Sequence, residues 1–391
     1  MRVAVIGLGQ AGGRIADLFA YYAQFVDKDV TPTVMAVNTA RADLVGLRVL
    51  PDRQRILIGQ TILKGHGVGL DIDLGAQVME QEMRKIKFAL AEAGTSKVDA
   101  FLLVAGLGGG TGSGSIPVVA SCLKDYYTEP VYAIAVLPTE EEGGLMAKNA
   151  ARSIMALSET TDGIIIFDNN IWANPALPLK ENYKSMNEQL VKPFLYILGP
   201  GEIDSSKKVS GKVVDSSDII KTLEGFSVIS YAEEHIPMGE RVKKTVNFFN
   251  RHSPKYQLDR VTRSYTVVQN AVHGKLSCEC NVKSAKKALI VLAGPPHDLC
   301  IEGVMEASRW LESYIPYCEV RGGDYPLKGS TKITGVVLLS DLQDIPRIEG
   351  LLTRAVDFQE AENTREKAFL SAGAKLQPLK MPTKQAIDDT G

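Results

Sequence analysis

The segment Gly108-Gly109-Gly110-Thr111-Gly112-Ser113-Gly114 is the most informative part of the sequence, and it follows the apolar run 101–105. Five glycines in seven positions let successive backbone N–H groups turn toward one centre, with two hydroxyls between them. Pro117 is expected in the first turn of the next helix, where a missing N–H costs nothing. A flexible linker is the simpler alternative, but linkers do not usually lie between a buried strand and a helix. The segment therefore predicts an anion-binding loop at a helix start.

Four further apolar runs of strand length occur in the first 170 residues, separated by segments of helical spacing such as 76–93. They are Val3 to Ile6, Val34 to Val37, Val131 to Leu137 and Ile164 to Phe167. Nearly continuous Val, Ile, Leu and Ala indicate strands buried on both faces. We therefore predict an α/β fold with a Rossmann-like parallel sheet between helices. Ligands of such sheets bind beyond the carboxyl ends of the strands.

The loop after the first strand, Gly7-Leu8-Gly9-Gln10-Ala11-Gly12-Gly13-Arg14, satisfies the pattern G-x-G-x-x-G. A nicotinamide-dependent oxidoreductase would need an acidic residue at the end of the second strand, where this chain has Asn38. The pattern G-x-x-x-x-G-K-[ST] does not occur, which excludes a P-loop lysine. We infer that two glycine loops hold phosphates through backbone N–H groups.

The second half of the sequence predicts a long helix and a smaller domain. Apolar residues at helical spacing predict a helix over Leu179 to Leu198, in which Pro193 allows a kink or an early stop. The runs at 265–273, 288–293, 318–321 and 336–339 indicate strands interleaved with helices near 299–313 and 342–355. The predicted units are a first domain at 1–178, the central helix and a loop at 179–218, an α+β domain at 219–376 and a flexible tail at 377–391.

Composition excludes several kinds of partner. With 46 acidic and 44 basic side chains, the formal net charge of −2 argues against a nucleic-acid or anionic-membrane partner. No apolar stretch approaches the roughly 20 residues of a membrane helix, so direct membrane insertion is not expected. The N-terminus has no signal-peptide features, and five irregularly spaced cysteines fit a reducing cytoplasm.

The segment 108–114 is similar to the signature G-G-G-T-G-[ST]-G of the tubulin/FtsZ superfamily, and 9–13 resembles the first nucleotide loop of that family. Asn38-Thr39-Ala40-Arg41 and the Glu-rich loop 140–142 are most similar to the archaeal CetZ branch. The resemblance covers about residues 1 to 370. It implies a cytoskeletal GTPase that binds GTP or GDP with Mg²⁺ and polymerises head to tail, with cell shape control as its expected role.

The resemblance also implies the nucleotide contacts. They are Gly9, Gln10, Ala11, Gly12, Gly13, Arg14, Asn38, Gly67, Gly108, Gly109, Gly110, Thr111, Gly112, Ser113, Glu142, Asn169, Tyr183 and Asn187. The two glycine loops are assigned to the phosphates, Asn38 to the phosphates or Mg²⁺, and Gly67 to the loop that senses the γ-phosphate. Glu142 is assigned to the ribose, and Met146 replaces a basic residue of the family. Tyr183 and Asn187 share a helix face and are assigned with Asn169 to guanine, although core packing is the alternative for Tyr183.

The segment Asp215-Ser216-Ser217-Asp218 resembles the catalytic loop of the family, which acts on the nucleotide of the neighbouring subunit. We expect Asp215 and Asp218 to be catalytic, whereas a simple helix N-cap is the alternative. Val213 departs from the family pattern, so a scaffold that binds GTP without hydrolysing it stays open, as does an FtsZ-type role in division. No metal-ligating side chains are assigned, and the tail is a candidate adaptor site.

Overall fold

The computed structural model describes residues 1–26, 30–94, 98–174, 176–202, 214–237 and 254–375. The predicted tail and Val213 lie outside these residues. The strands are β1 (Val3–Leu8), β2 (Thr33–Asn38), β3 (Arg55–Leu57), β4 (Ala100–Gly106), β5 (Val131–Leu137), β6 (Gly163–Asp168), β7 (Gly225–His235), β8 (Lys287–Gly294), β9 (Glu319–Pro326) and β10 (Lys332–Ser340). The helices are α1 (Gly9–Val26), α2 (Arg41–Val45), α3 (Gln60–Leu63), α4 (Ile72–Glu92), α5 (Gly110–Tyr126), α6 (Gly144–Thr160), α7 (Asn169–Trp172), α8 (Leu179–Leu198), α9 (Ser216–Thr222), α10 (Pro254–His273), α11 (Ile301–Tyr314) and α12 (Pro346–Lys375).

The described strands form one sheet in the order β3-β2-β1-β4-β5-β6-β7-β10-β8-β9. From β3 to β7 every pairing is parallel, which confirms the predicted parallel sheet and its five strands. Strand β7 pairs with β6 at its start and antiparallel with β10 further along. The strands of the second half of the chain therefore continue the parallel sheet of the first half beyond β6. The exact domain boundaries stay a prediction.

The central helix α8 has the bounds that its apolar spacing predicts, and it continues through Pro193. Its inner face buries Met186, Leu190 and Phe194, and the Phe194 ring meets the edge of Phe19 from α1 with centroids 5.9 Å apart. Because 20 helical residues span about 30 Å, α8 is long enough to run from the carboxyl-terminal ends of the strands to their amino-terminal ends.

The run 265–273 is not a strand, so that prediction was wrong. It is the C-terminal half of α10, whose buried residues come in pairs four positions apart: Arg263 and Ser264, Val267 and Val268, Ala271 and Val272. The β-branched residues favoured a strand by local propensity, but burial of this helical stripe against the sheet outweighs that small preference.

Helix α5 begins at Gly110, earlier than expected, so Pro117 lies inside it. Proline has no N–H, and the carbonyl of Ser113 therefore lacks its helical donor four residues on. The hydroxyl of Ser153, on α6, donates to that carbonyl at 2.7 Å, and both serines are buried. Helix α6 thus supplies the bond that Pro117 removes.

We expect Ser153→Ala to lower the free energy of unfolding by about 1–3 kcal/mol, because the Ser113 carbonyl is then buried without a donor. Urea denaturation measures this loss. Repeated in a Pro117→Ala background, where the backbone N–H is restored, the same substitution should cost less. An equal cost in both backgrounds would contradict the replacement of one donor by the other.

Candidate functional site

A cavity of about 370 Å³ lies where β1, β2, β4, β5 and β6 end at their carboxyl edge. Fifteen of the residues predicted from the sequence line it: Gly9, Gln10, Ala11, Arg14, Asn38, Gly67, Gly108, Gly109, Gly110, Thr111, Gly112, Glu142, Asn169, Tyr183 and Asn187. Gly12, Gly13, Ser113, Asp215 and Asp218 are not among the lining residues. The structure therefore brings loops from five strands and the central helix around one space.

Helices α1 and α5 begin side by side on this cavity. Gly9 has φ +73°, and a Cβ there would lie 2.9 Å from the backbone nitrogen of Gly112, so no larger residue fits. The first N–H groups of each helix have no acceptor within the helix, and the positive ends of both helix dipoles point into the same space. This arrangement favours a bound anion such as a phosphate.

Three residues that were predicted to contact the nucleotide do not line the cavity but pack beneath its loops. A Cβ on Gly12 would lie 2.1 Å from the carbonyl oxygen of Val104, so glycine is needed for α1 to pack on the sheet. Gly13 faces the side chain of Ala36. Ser113 is fully buried, and its hydroxyl accepts the N–H of Gly108 at 2.8 Å.

Asp43, on α2, is a cavity residue that sequence reasoning missed. One of its carboxylate oxygens accepts from Gln10 Nε2 at 2.7 Å and the other from Asn38 Nδ2 at 3.0 Å. Asn38 is 2% exposed, and its Oδ1 accepts the N–H of Ala40 at 3.2 Å. Asp43 thus fixes both amides at the cavity wall. Its position two residues beyond the segment 38–41 was the only signal.

Three further hydrogen bonds hold the loops around the cavity together. The hydroxyls of Thr39 and Thr111 share a hydrogen bond of 2.8 Å between the second-strand loop and α5. Asn149 of α6, also missed from the sequence, donates to the carbonyls of Leu70 at 2.8 Å and Gly108 at 3.1 Å. Asn149 and Ser153 are two polar residues, four apart, on the buried face of α6, which is the signal that could have found them.

The remaining wall carries Glu142, Asn169, Tyr183 and Asn187. The carboxylate of Glu142 accepts the N–H of Thr139 at 2.7 Å, which folds the loop after β5 back on itself. Tyr183 and Asn187 are half-buried and face the cavity from adjacent turns of α8, so Tyr183 is not a fully buried core residue. An aromatic face and amide groups can stack on a planar base and bond its edge.

Asp215 and Asp218 form the capping box of α9. The carboxylate of Asp215 accepts the Asp218 N–H at 2.9 Å, and that of Asp218 accepts the Asp215 N–H at 3.4 Å. The Ser217 hydroxyl, followed by the Asp218 N–H, holds the pKa of Asp215 below its ordinary value. Arg321 Nε of β9 lies 3.2 Å from an Asp218 oxygen. The two aspartates therefore do form a helix N-cap, which is the alternative interpretation. Their catalytic role stays a prediction.

This capping box lies near the amino-terminal ends of the parallel strands, whereas the cavity lies beyond their carboxyl-terminal ends. Ser216 donates to Asp99 at 3.2 Å, and Asp99 immediately precedes β4, whereas the cavity lies just beyond the end of β4. Because β4 has seven residues, about 20 Å separates the two edges. Within one copy of the chain, the acidic pair and the cavity cannot form one site.

Comparison with known proteins identifies the family. Residues 2–176 match the Tubulin/FtsZ family, GTPase domain, and residues 178–357 match the Tubulin-like CetZ, C-terminal domain. Tubulin-like protein CetZ1 of Haloferax volcanii is 40% identical over 369 residues, which cover 92% of this chain and 93% of that protein. The chain belongs to the CetZ branch of the Tubulin/FtsZ family.

Solved structures of the same branch share the fold over almost the whole length. The GDP-bound monomer of Haloferax volcanii CetZ1 has a TM-score of 0.81 at 39% identity, covering 92% of this chain and all of that one. The GTPγS-bound protofilament of CetZ2 from the same organism has a TM-score of 0.80 at 33% identity, with 93% and 100% covered. These relatives confirm the predicted family and fold. The roles of single residues stay predictions.

None of the helices in the described ranges has both the length and the hydropathy of a membrane-crossing segment.

We expect Gly110→Ala to destabilise the protein by about 1–3 kcal/mol, because its Cβ would lie 2.4 Å from Val68 Cγ2 and 2.7 Å from the Asp71 carbonyl oxygen. Gly109→Ala is the matched control, since nothing lies within 4 Å of a Cβ there and its φ is −73°. Thermal unfolding without nucleotide measures both. Equal losses for the two variants would show that the packing of α5 does not depend on glycine at 110.

Proposed function

We propose that the chain binds GTP in the cavity, assembles head to tail and hydrolyses GTP between successive subunits. The observation that carries this proposal is the separation of the cavity from Asp215 and Asp218 by the length of the sheet. When copies stack along the strand direction, Asp215 and Asp218 of one copy face the cavity of the next. The relative solved as a GTPγS-bound protofilament supports such stacking.

The cavity suits a guanine nucleotide in three parts. The starts of α1 and α5 present backbone N–H groups to the phosphates, and Arg14 is the cationic side chain among the described lining residues. We assign Glu142 to the ribose hydroxyls and Tyr183, Asn187 and Asn169 to the base; all four line the cavity. A relative solved as a GDP-bound monomer supports this ligand class.

The donor set beside the phosphates fits Mg²⁺. Asp43 provides carboxylate oxygens and Asn38 an amide oxygen, and Mg²⁺ prefers one or two such ligands completed by phosphate and water. The described residues contain no group of three or more His, Cys, Asp or Glu that could hold a metal without the nucleotide. When bound, the ion would offset charge on the phosphates. The carboxylate of Asp43 would otherwise oppose nucleotide binding.

Hydrolysis requires a water in line with the γ-phosphorus and stabilisation of charge on the equatorial oxygens. The backbone N–H groups at the start of α5, which lines the cavity, would bond those oxygens. Asp215 and Asp218 of the adjacent subunit would orient the water and accept its hydrogen bonds. Arg321, beside Asp218, offsets the charge that two carboxylates bring to a triphosphate.

A scaffold that binds GTP without turnover is the second candidate. It is favoured by one observation: both carboxylates are already engaged in capping α9, and Asp218 also pairs with Arg321. For the cellular role we propose shape control in the cytoplasm, in keeping with five free cysteines and the CetZ relatives; a division-ring role is the alternative. The tail as an adaptor site stays a prediction.

GTP turnover per subunit should rise with protein concentration, because each complete site needs two copies. Phosphate release across the assembly threshold, with light scattering in parallel, measures this. Equal turnover in dilute monomer and in filaments would contradict a shared site.

The nucleotide released on denaturing the purified protein should be GDP or GTP. Release of NAD(H) would refute the proposal that the cavity binds a guanine nucleotide.

Asp218→Asn should lower turnover about 100-fold or more, with filaments that persist longer, since the amide still caps α9 but has lost the charge. Asp215→Asn applies the same logic to the other acid. Phosphate release and sedimentation measure the two effects separately, and thermal unfolding checks that the helix cap is intact. Unchanged turnover in both variants would favour the scaffold.

A further inference from the structure

Helix α12 reaches from the second half of the chain to the loops of the cavity. Arg347, in its first turn, donates from Nε to the Asp168 carboxylate at 2.8 Å and from Nη2 to the Pro138 carbonyl at 2.6 Å. The side chains of Arg347 and Asp168 are 6% and 3% exposed. One buried guanidinium therefore holds the ends of β5 and β6 together.

Arg354, two turns further along α12, holds the loop after β5. Its Nη2 donates to the carbonyls of Glu140 at 2.7 Å and Glu142 at 2.9 Å. The carboxylate of Glu142 is in turn bonded to the N–H of Thr139. The main chain on both sides of Glu141 is thereby fixed from outside the cavity, while Glu142 stays on its wall.

Asp168, which bonds Arg347, also fixes the segment that follows β6. Its second oxygen accepts the N–H of Asn170 at 3.1 Å and caps α7, the short helix that begins with Asn169. Neither Arg347 nor Arg354 is among the residues that line the cavity. They contact the carbonyls and the carboxylate that set the positions of Glu142 and Asn169.

We propose that Arg347 and Arg354 are positioning residues for the guanine nucleotide, through which α12 sets the affinity of the cavity. This inference rests on the proposed function. The planar fork of arginine suits the task, because it donates several hydrogen bonds in fixed directions. By linkage, a nucleotide that tightens these loops also strengthens their hold on α12. Nucleotide state and the placement of the last helix are therefore coupled.

The remaining contacts of α12 provide a matched control. Lys148 of α6 forms an ion pair of 2.6 Å with Glu362, one turn beyond Phe358, which packs on Gly144. Lys148→Gln weakens the attachment of α12 without touching the two loops. Arg347→Gln is a poorer test, since it strands the buried Asp168 charge and destabilises the fold itself. Arg354 is only half-buried and bonds carbonyls, so it is the residue to vary.

Calorimetric titration with GDP should show that Arg354→Gln binds about tenfold more weakly than wild type, as expected for the loss of charge-assisted bonds. Arg354→Lys keeps the charge and can still donate to the carbonyls, but its flexible ammonium lacks the fixed bond directions of the guanidinium, so its affinity should fall between the two. Lys148→Gln should stay within about twofold. In a double-mutant cycle, Arg354→Gln and Glu142→Gln should be non-additive, because the first acts through the second.

Equal affinity of Arg354→Gln and wild type would overturn the inference, and so would an equal loss in Lys148→Gln or strict additivity with Glu142→Gln. If wild type itself binds no guanine nucleotide, the proposed function fails first. Melting temperatures without nucleotide separate the loss of a positioning contact from general destabilisation. A melting temperature lowered to the same extent by Arg354→Gln and by Arg354→Lys, with equal affinities, would assign the residue a structural role only.

Discussion

The contact between the starts of α1 and α5 is the constraint on which the site depends. Strand β1 pairs with β2 on one side and with β4 on the other, so the order in which strands are added to the sheet reverses between β1 and β4. Ligand crevices of parallel sheets open at such switch points. Here the two helix ends lie so close that a Cβ added to Gly9 would be 2.9 Å from the backbone nitrogen of Gly112. Two positive helix ends this close repel each other unless an anion lies between them.

The central helix connects the cavity to the end of the sheet that carries Asp215 and Asp218. Tyr183 and Asn187, in the first half of α8, line the cavity, and the chain that follows α8 reaches α9 at the opposite edge. Under the proposed function, side chains on α8 contact the ligand at one end, and Asp215 and Asp218 would face the next copy at the other. Helix α8 packs on α1 through Phe194 and Phe19 and buries one face that includes Met186 and Leu190, so it connects the two ends of the strands.

Local pattern was sufficient for elements buried on both faces and for the glycine loops, because continuous apolar runs and closely spaced glycines have few other interpretations. It failed at 265–273, where β-branched residues hide a helical stripe. It also missed Asp43, Asn149 and Arg347, whose partners are set by the fold: Arg347 bonds Asp168 across 179 positions of sequence. Such contacts depend on how helices and loops that are distant in sequence pack together, which no local period encodes.

The described residues around the cavity carry few cationic side chains. The described lining residues include Arg14 as their cation, together with the carboxylates Asp43 and Glu142. Under the proposed function, phosphate binding rests on backbone N–H groups, whose directions are fixed by loop conformation and not by long side chains. The guanidinium groups of Arg347 and Arg354 act behind the loops, on carbonyls. A site of this kind responds to small movements of a neighbouring helix, whereas a lysine could follow the phosphates by changing rotamer.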